Sequence, residues 1–312
     1  MTRKTTHWIV GPGALGRLIA LRLGDHAAIT LIGRRPLPLV QTLITPEKAF
    51  LTRRVEVARI DAPPSPPPEV VHLTTKAYAA EAAYATLATR LPDGTPLVLW
   101  QNGFDCQPRL TARHQGPVLC ASTTEGAHVQ DETRVIHAGH GHTFLGCLDG
   151  RHGELAERLA VTLSAAGLPT EAVDDIRVRL WRKLAVNAVI NPLVAHFTIH
   201  NGELRDPPFR RMVERLIAEV AAILAAEGIA PPEGEGLAGW RSLIWQVIEA
   251  TATNRASMLQ DVQAGRLTEH EAILTPLLDA ASRHRLPAPC LDGHLDALRH
   301  RAAALAQPPT AC

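Results

Sequence analysis

Short apolar runs alternate with helix-like stretches along the first part of the chain. The runs have the length and composition of buried parallel strands, whereas the stretches between them show helical spacing or are rich in alanine. Such alternation predicts βαβ units and a parallel sheet. The predicted strands cover residues 8–10, 27–32, 70–74 and 96–100, and the predicted helices cover residues 15–23, 78–91 and 154–166.

The pattern changes twice after the fourth strand. From Val118 to Gly146 the chain has short pieces rich in Thr, His and Gly, which we expect to form the later, edge strands of the same sheet. Beyond Asp174 strand signals vanish, and helices are predicted at residues 176–197, 209–227, 237–251 and 268–283 and near 291–305. The predicted fold is therefore α/β, with an N-terminal Rossmann-type dinucleotide-binding domain (residues 1–172) and an all-helical C-terminal domain (residues 173–312).

A glycine-rich run lies between the first strand and the first helix. Gly11 would make the tight turn, Gly13 would let the backbone approach a pyrophosphate, and Gly16 would let the helix lie close to the strand. The helix N-terminus adds free N–H groups and the positive end of its dipole. This context predicts a dinucleotide site formed by Gly11, Pro12, Gly13, Ala14, Leu15 and Gly16.

The second strand ends at Gly33-Arg34-Arg35, without an acidic residue. An NAD site should place Asp or Glu near this point to accept from the ribose hydroxyl, whereas an arginine suits a 2′-phosphate. We therefore expect NADPH/NADP+ as cofactor, with Arg34 rather than Arg35 as the phosphate contact, because Arg34 directly follows the glycine. The alternative is a solvated basic loop.

Composition narrows the functional class. The net charge of +1 indicates no general attraction to nucleic acid or to a membrane surface. The five cysteines are scattered and form no C-x-x-C pair, which favours reduced thiols and a cytoplasmic location. Neither a signal peptide nor an apolar run long enough to span a membrane is recognisable. His137, His140 and His142 lack partners at a familiar metal spacing, so we predict loop and strand histidines and no metal site.

Polar residues in two regions are candidates for chemistry. Lys76 and Asn102 follow predicted strands, at the sheet edge where such folds bind ligands. Lys183, Asn187 and Asn191 recur every four residues on a helix that is otherwise apolar, which favours the wall of a polar cleft or an internal hydrogen-bond network over a broad solvent face.

Local signals around these residues give two structural expectations. Pro192 should kink the helix or end it after Asn191. Thr268 can cap the last-but-one helix and would place Glu269 in its first turn, a structural role sufficient by itself to explain this carboxylate.

Taken together, these motifs resemble 2-dehydropantoate 2-reductases (the ketopantoate reductase family) over nearly the whole chain. The specific part is the Lys183-x-x-x-Asn187-x-x-x-Asn191-Pro192 helix combined with Ser257-Met258-Leu259-Gln260-Asp261. The glycine loop is not specific. Further matching segments are Thr75-Lys76-Ala77, Gln101-Asn102-Gly103, Thr124-Glu125-Gly126-Ala127, Asn201-Gly202-Glu203-Leu204 and Thr268-Glu269.

The resemblance implies NADPH-dependent reduction of 2-dehydropantoate to (R)-pantoate in pantothenate and coenzyme A biosynthesis. Lys183 would be the general acid and Glu269 a catalytic partner. Asn102, Asn187, Asn191, Asn201 and Ser257 would line the substrate site, while the glycine loop, Arg34, Lys76 and Asn102 would bind the cofactor. The helical domain could also present a surface for a homodimer.

One departure keeps alternatives open. After Thr268-Glu269 the family commonly continues Ile-Asp-Tyr-Ile-Asn-Gly, but residues 270–275 here read His-Glu-Ala-Ile-Leu-Thr. A paralogue that reduces another branched 2-oxo acid with NADPH would fit this change. A module that senses NADPH without turnover is a third reading, against which the retained lysine argues.

Overall fold

The computed structural model describes residues 3–306. The strands are β1 Thr6–Val10, β2 Ala28–Gly33, β3 Val40–Ile44, β4 Phe50–Arg54, β5 Glu56–Arg59, β6 Val70–Leu73, β7 Leu97–Leu99, β8 Val118–Thr123, β9 Gly126–Val129, β10 Arg134–Gly139, β11 Thr143–Gly146 and β12 Thr170–Ala172. The α-helices are α1 Ala14–Leu23, α2 Ala77–Ala88, α3 Cys106–Arg113, α4 Gly153–Ala165, α5 Ile176–Phe197, α6 Phe209–Ala226, α7 Gly236–Ala250, α8 Ser257–Gln263, α9 His270–His284 and α10 Pro289–Ala306. A 3₁₀ helix covers Asn201–Arg205.

The chain divides into two compact units. The first contains the residues up to Gln101 together with Cys106–Arg179, and the second contains the chain from Leu180 onward together with the short segment Asn102–Asp105. Helix α5 therefore begins in the first unit and continues in the second. The segment 102–105 interrupts the first unit in sequence, a feature that the hydropathy pattern did not indicate.

The first unit contains an eight-stranded sheet with the order β12-β11-β8-β7-β6-β1-β2-β5. The six strands from β8 to β5 are parallel, and β11 runs antiparallel to β8. The chain reverses its direction of winding between β1 and β6, because β1 pairs with β2 on one side and with β6 on the other. Sheets of this type bind ligands at the carboxyl ends of the strands at that reversal. The predicted Rossmann-type fold is confirmed.

A second sheet with the order β4-β3-β10-β9 corrects the prediction for residues 118–146. Strands β8 and β11 join the main sheet as expected, but β9 and β10 leave it. They pair with each other, and β10 also pairs with β3, the partner of β4. The burial pattern explains the separation. Residues of β8 are all buried, whereas β10 alternates between buried and exposed positions, as a sheet with one solvated face requires. Its buried Val135 packs in the cluster that includes Leu18 and Leu21 of α1.

The helical part of the chain largely follows the prediction. Helix α5 has the predicted bounds, and the other predicted helices are present with ends shifted by at most three residues. The sequence reading missed α3, α8 and the 3₁₀ helix, which are all short. Within residues 3–306, no helix is both long enough and apolar enough to cross a membrane.

Of the two outcomes expected at Pro192, an end of the helix is excluded, because α5 continues through Pro192 to Phe197. A proline at this position removes one backbone donor, the one that would bind the carbonyl of Ala188. The residues that follow, Leu193, Val194 and Ala195, are completely buried. Their burial outweighs the loss of a single helical hydrogen bond.

Two buried histidines connect the central strands of the main sheet. Trp100 donates its indole N–H to Nδ1 of His72 (3.1 Å), and Nε2 of His72 lies 3.0 Å from Nδ1 of His7. Since Trp can only donate, a neutral His72 must bear its proton on Nε2 and donate it to His7. Burial lowers the pKa of His7 to about 4 and that of His72 well below its usual value, with the nearby His7 charge adding to the effect on His72. Both rings are therefore neutral at pH 7.

We expect this pair to make the fold sensitive to acid. A histidine whose pKa is depressed on folding stabilises the protein fully above its unfolded pKa, near 6.5, and this stability is lost as the pH falls toward the folded pKa. For His7 alone the loss between pH 6.5 and 4 is about 3 kcal/mol. Urea unfolding across that range should show a shallower pH dependence in His7→Gln, whose amide oxygen can still accept from His72. An equally steep dependence in both proteins would contradict the assignment.

Candidate active site

The glycine loop that follows β1 is compact and is stabilised by its own backbone. Gly11 has φ +102°, a conformation that favours glycine, and it donates its N–H to the carbonyl of Ile32 (2.9 Å). A Cβ atom on Gly11 would lie 2.6 Å from the backbone nitrogen of Thr75. The turns after β1 and β6 are thus in direct contact at the point where the winding of the sheet reverses.

Gly16 and Gly13 have opposite surroundings. A Cβ atom on Gly16 would lie 2.4 Å from the carbonyl oxygen of Gly11 and 2.5 Å from the hydroxyl oxygen of Thr74. That hydroxyl donates to the carbonyl of Gly11 at 2.8 Å. No heavy atom lies within 4 Å of the corresponding position on Gly13. Gly13 precedes α1 without a side-chain cap, so this end of the loop can present backbone N–H groups to a phosphate. Pro12, Ala14 and Leu15 complete the loop.

The two predicted cationic residues follow strands whose ends lie next to this loop. Arg34 is exposed and directly follows Gly33, whose ideal Cβ position is 2.9 Å from Cγ of Pro12. Lys76 is the residue that precedes α2, at the end of β6, and it is partly buried. Both residues thus belong to the carboxyl edge of the sheet, where the sequence predicted them.

In the second unit, Asn102 joins a lysine and a glutamate. The ammonium Nζ of Lys183 donates to Oδ1 of Asn102 at 2.8 Å, and Nδ2 of Asn102 donates to Oε2 of Glu269 at 3.2 Å. Burial lowers the pKa of Lys183 to about 8, against the opposing attraction of the Glu269 charge. An ammonium with this pKa is mostly charged at pH 7 and releases its proton more readily than an ordinary lysine.

The helix that contains Lys183 explains its surroundings. On α5, Lys183 and Asn187 are partly exposed, as are the adjacent Arg182 and Val186, and Asn191 is 6% exposed. The intervening residues Leu184, Ala185, Ala188 and Val189 are buried. This arrangement excludes the broad solvent face considered from sequence.

Glu269 does not have the helical role expected for it. Helix α9 begins at His270, so Glu269 precedes the first turn, and the acidic residue inside that turn is Glu271. The hydroxyl of Thr268 pairs with Nδ1 of His270 (2.7 Å) instead of capping the helix. Glu269 is buried, and its bond to Asn102 gives this carboxylate a partner other than the helix end.

Asn201 and Ser257 belong to other elements of the second unit. Asn201 begins the 3₁₀ helix, donates Nδ2 to the hydroxyl of Thr251 (2.9 Å), and has a buried Oδ1 without a hydrogen-bond partner among the described residues. Ser257 is the exposed first residue of α8.

Each of the three histidines lies near a carboxylate. His137 is fully buried in β10, where Nε2 lies 2.5 Å from Oε2 of Glu125, and Nδ1 lies 3.1 Å from a guanidinium nitrogen of Arg22. His140 and His142 lie near the carboxylates of Glu47 and Glu171. Across residues 3–306, His, Cys, Asp and Glu side chains form no cluster of three suited to a metal ion.

Comparison with known proteins identifies the family of this chain. The family model described as Ketopantoate reductase PanE/ApbA matches residues 8–150, and the one described as Ketopantoate reductase PanE/ApbA C terminal matches residues 175–302. A 2-dehydropantoate 2-reductase from Vibrio cholerae is 34% identical over 285 residues, which cover 90% of this chain and 92% of that protein.

The chain belongs to the ketopantoate reductase family of oxidoreductases.

Solved structures show the same fold. A 2-dehydropantoate 2-reductase from Geobacter metallireducens has a TM-score of 0.85 at 24% identity, covering 95% of this chain and 99% of its own. D-mandelate dehydrogenase, solved with NADH and anilino(oxo)acetate, has a TM-score of 0.85 at 19% identity, covering 96% of this chain and 99% of its own. The fold is thus shared within the ketopantoate reductase family and by this dehydrogenase.

We expect two glycine variants to separate folding from dinucleotide binding. Gly16→Ala forces a Cβ against the Gly11 carbonyl and should lower the free energy of unfolding by about 1–3 kcal/mol. Gly13→Ala meets no protein atom, so its stability should stay within about 0.5 kcal/mol of wild type. The same methyl should block close approach of a pyrophosphate and weaken NADPH binding, as measured by calorimetry. Wild-type affinity in Gly13→Ala would mean that the cofactor does not use this loop.

Proposed function

We propose that this chain reduces 2-dehydropantoate to (R)-pantoate with NADPH, as a step of pantothenate and coenzyme A biosynthesis, and that Lys183 is the general acid. The observation that supports this proposal most directly is the polar set in the second unit. There the ammonium of the partly buried Lys183 is hydrogen-bonded to Asn102, which is in turn hydrogen-bonded to a buried carboxylate. Membership of the ketopantoate reductase family supports the choice of substrate.

The proposed reduction needs a proton donor close to the ketone oxygen of the substrate. Reduction of a 2-oxo acid builds negative charge on the ketone oxygen, which a nearby cation stabilises and a general acid protonates. Lys183 can do both, because its pKa of about 8 keeps it charged at neutral pH while easing proton release. Asn102 fixes the direction of the ammonium through the 2.8 Å bond to Nζ.

The remaining polar side chains would bind and orient the substrate. The negative charge of Glu269 raises the pKa of Lys183 and so partly offsets the effect of burial on that pKa. The Glu269 carboxylate can also accept a hydrogen bond from a substrate hydroxyl. Amide and hydroxyl groups suit the substrate carboxylate and the distal hydroxyl without chemistry of their own. We assign this role to Asn102, Asn187, Asn191, Asn201 and Ser257.

The glycine loop, Lys76 and Asn102 would hold the dinucleotide, and Arg34 would pair with its 2′-phosphate. The open position at Gly13 and the uncapped start of α1 fit a pyrophosphate. When bound, the reduced nicotinamide supplies the hydride that the side chains of this chain cannot provide.

A second candidate substrate is another branched 2-oxo acid. Leu274 is completely buried in α9, within the run 270–275 where the family commonly has an Asn-Gly pair. An apolar residue in place of an amide would favour a less polar acyl group. A panel of 2-oxo acids, assayed by NADPH oxidation at 340 nm, distinguishes the two candidate substrates. We expect 2-dehydropantoate to give the highest kcat/KM.

Lys183→Ala should lower kcat for 2-dehydropantoate by on the order of 10²–10⁴ while NADPH still binds, since the acid is removed and the dinucleotide loop is intact. Because the acid must be protonated, wild-type kcat should fall as the pH rises above about 8, and Lys183→Arg should lose that titration. The chain has only four lysines, so the Lys183 side-chain resonance can be followed by NMR over the same range. Near-normal turnover in Lys183→Ala would remove this residue from the mechanism.

Arg34→Ala should weaken NADPH binding far more than NADH binding, because only NADPH has a phosphate for the guanidinium to contact. The neighbouring exposed Arg35 offers a matched control, and Arg35→Ala should change the preference less. Dissociation constants for both dinucleotides in wild type and the two variants measure the effect. Equal weakening of NADPH and NADH in Arg34→Ala would show that this arginine does not read the 2′-phosphate.

A further inference from the structure

Helix α9 contains a proline at a position where it interrupts the backbone hydrogen bonding. Pro276 is the seventh residue of a helix that runs from His270 to His284, well beyond the first turn in which proline is tolerated. Proline has no N–H, so it cannot donate to the carbonyl four residues earlier, which is that of Ala272. The carbonyl of Ala272 is therefore released from the usual helical bond.

Another segment of the second unit uses this carbonyl. The backbone N–H of Phe104 donates to the Ala272 oxygen at 3.2 Å. Gly103 packs against the same group so closely that a Cβ atom there would lie 2.1 Å from the oxygen, and its φ of +86° also favours glycine. The ring of Phe104 packs against Trp181 of α5, with ring centroids 5.3 Å apart. The segment is thus attached both to α9 and to α5.

The attached segment begins with Asn102. Only one residue separates this asparagine from Phe104, and its amide connects Lys183 on α5 with Glu269 at the start of α9. A peptide fixed at residues 103 and 104 leaves little freedom at 102. The position of the amide that orients the ammonium therefore depends on an acceptor that a regular helix would not offer.

We propose that Pro276 is a positioning residue for the reduction. By leaving the Ala272 carbonyl without a helical donor, Pro276 supplies the acceptor that fixes Gly103-Phe104 and, through them, Asn102 against Lys183. This inference rests on the proposed role of Lys183. It also accounts for a proline in a helix interior, where alanine would be the better helix former.

The test is Pro276→Ala, which restores a backbone N–H that competes for the Ala272 carbonyl. We expect the Phe104 amide to exchange with solvent about tenfold faster, because its acceptor is now shared. Selective ¹⁵N labelling of phenylalanine gives few signals, since the chain has five, and Phe104→Leu assigns the relevant one. We also expect kcat for 2-dehydropantoate to fall about tenfold, because a small misplacement of a catalytic group is costly. The melting temperature should stay the same or rise.

Pro289→Ala is the matched control, because Pro289 is the first residue of α10, where no helical donor is missing. It should leave both Phe104 exchange and kcat unchanged. Gly103→Ala should lower kcat more severely than Pro276→Ala, owing to the clash with the Ala272 carbonyl.

Loss of activity together with a higher melting temperature is a result that a purely structural role for Pro276 would not give. Unchanged Phe104 exchange in Pro276→Ala, or faster exchange with wild-type kcat, would overturn the positioning role. Failure of the wild type to reduce any 2-oxo acid would instead contradict the proposed function, while the exchange measurement would still test the hydrogen bond.

Discussion

The polar site of the second unit depends on the two hydrogen bonds made by the side-chain amide of Asn102. A lysine that loses its hydration needs hydrogen-bond partners, and a buried carboxylate needs donors. One asparagine side chain meets both needs, because its oxygen accepts from Lys183 and its nitrogen donates to Glu269. Replacement by an apolar residue would leave two charged groups without these bonds. The Asn102 amide therefore contributes both to the stability of the fold and to any chemistry at Nζ of Lys183.

Two interruptions of regular structure share a physical logic. Pro192 and Pro276 both lie inside helices, and each removes the donor for one carbonyl. Around Pro192 the apolar burial of α5 is sufficient to continue the helix. Around Pro276 the released carbonyl of Ala272 has a new donor in the backbone of Phe104. Prolines that a helix prediction treats as stops can thus be tolerated, and one of them can provide a backbone acceptor to another segment.

The three glycines of the loop in the first unit differ in whether the fold requires them. Gly11 and Gly16 are required by the protein itself, since a side chain on either would collide with backbone or with Thr74. Gly13 has no such neighbour, so the fold itself leaves room for a side chain there.

The sequence by itself determined the elements with strong periodicity: the strands and helices around the glycine loop, and the line of Lys183, Asn187 and Asn191 on α5. Local hydropathy and turn chemistry suffice for these features, because they depend on residues that are close along the chain. Only the tertiary structure decided that β9 and β10 form a separate sheet and that Asn102 bridges Lys183 to Glu269. These facts depend on contacts between residues far apart in sequence, about which local patterns contain no information.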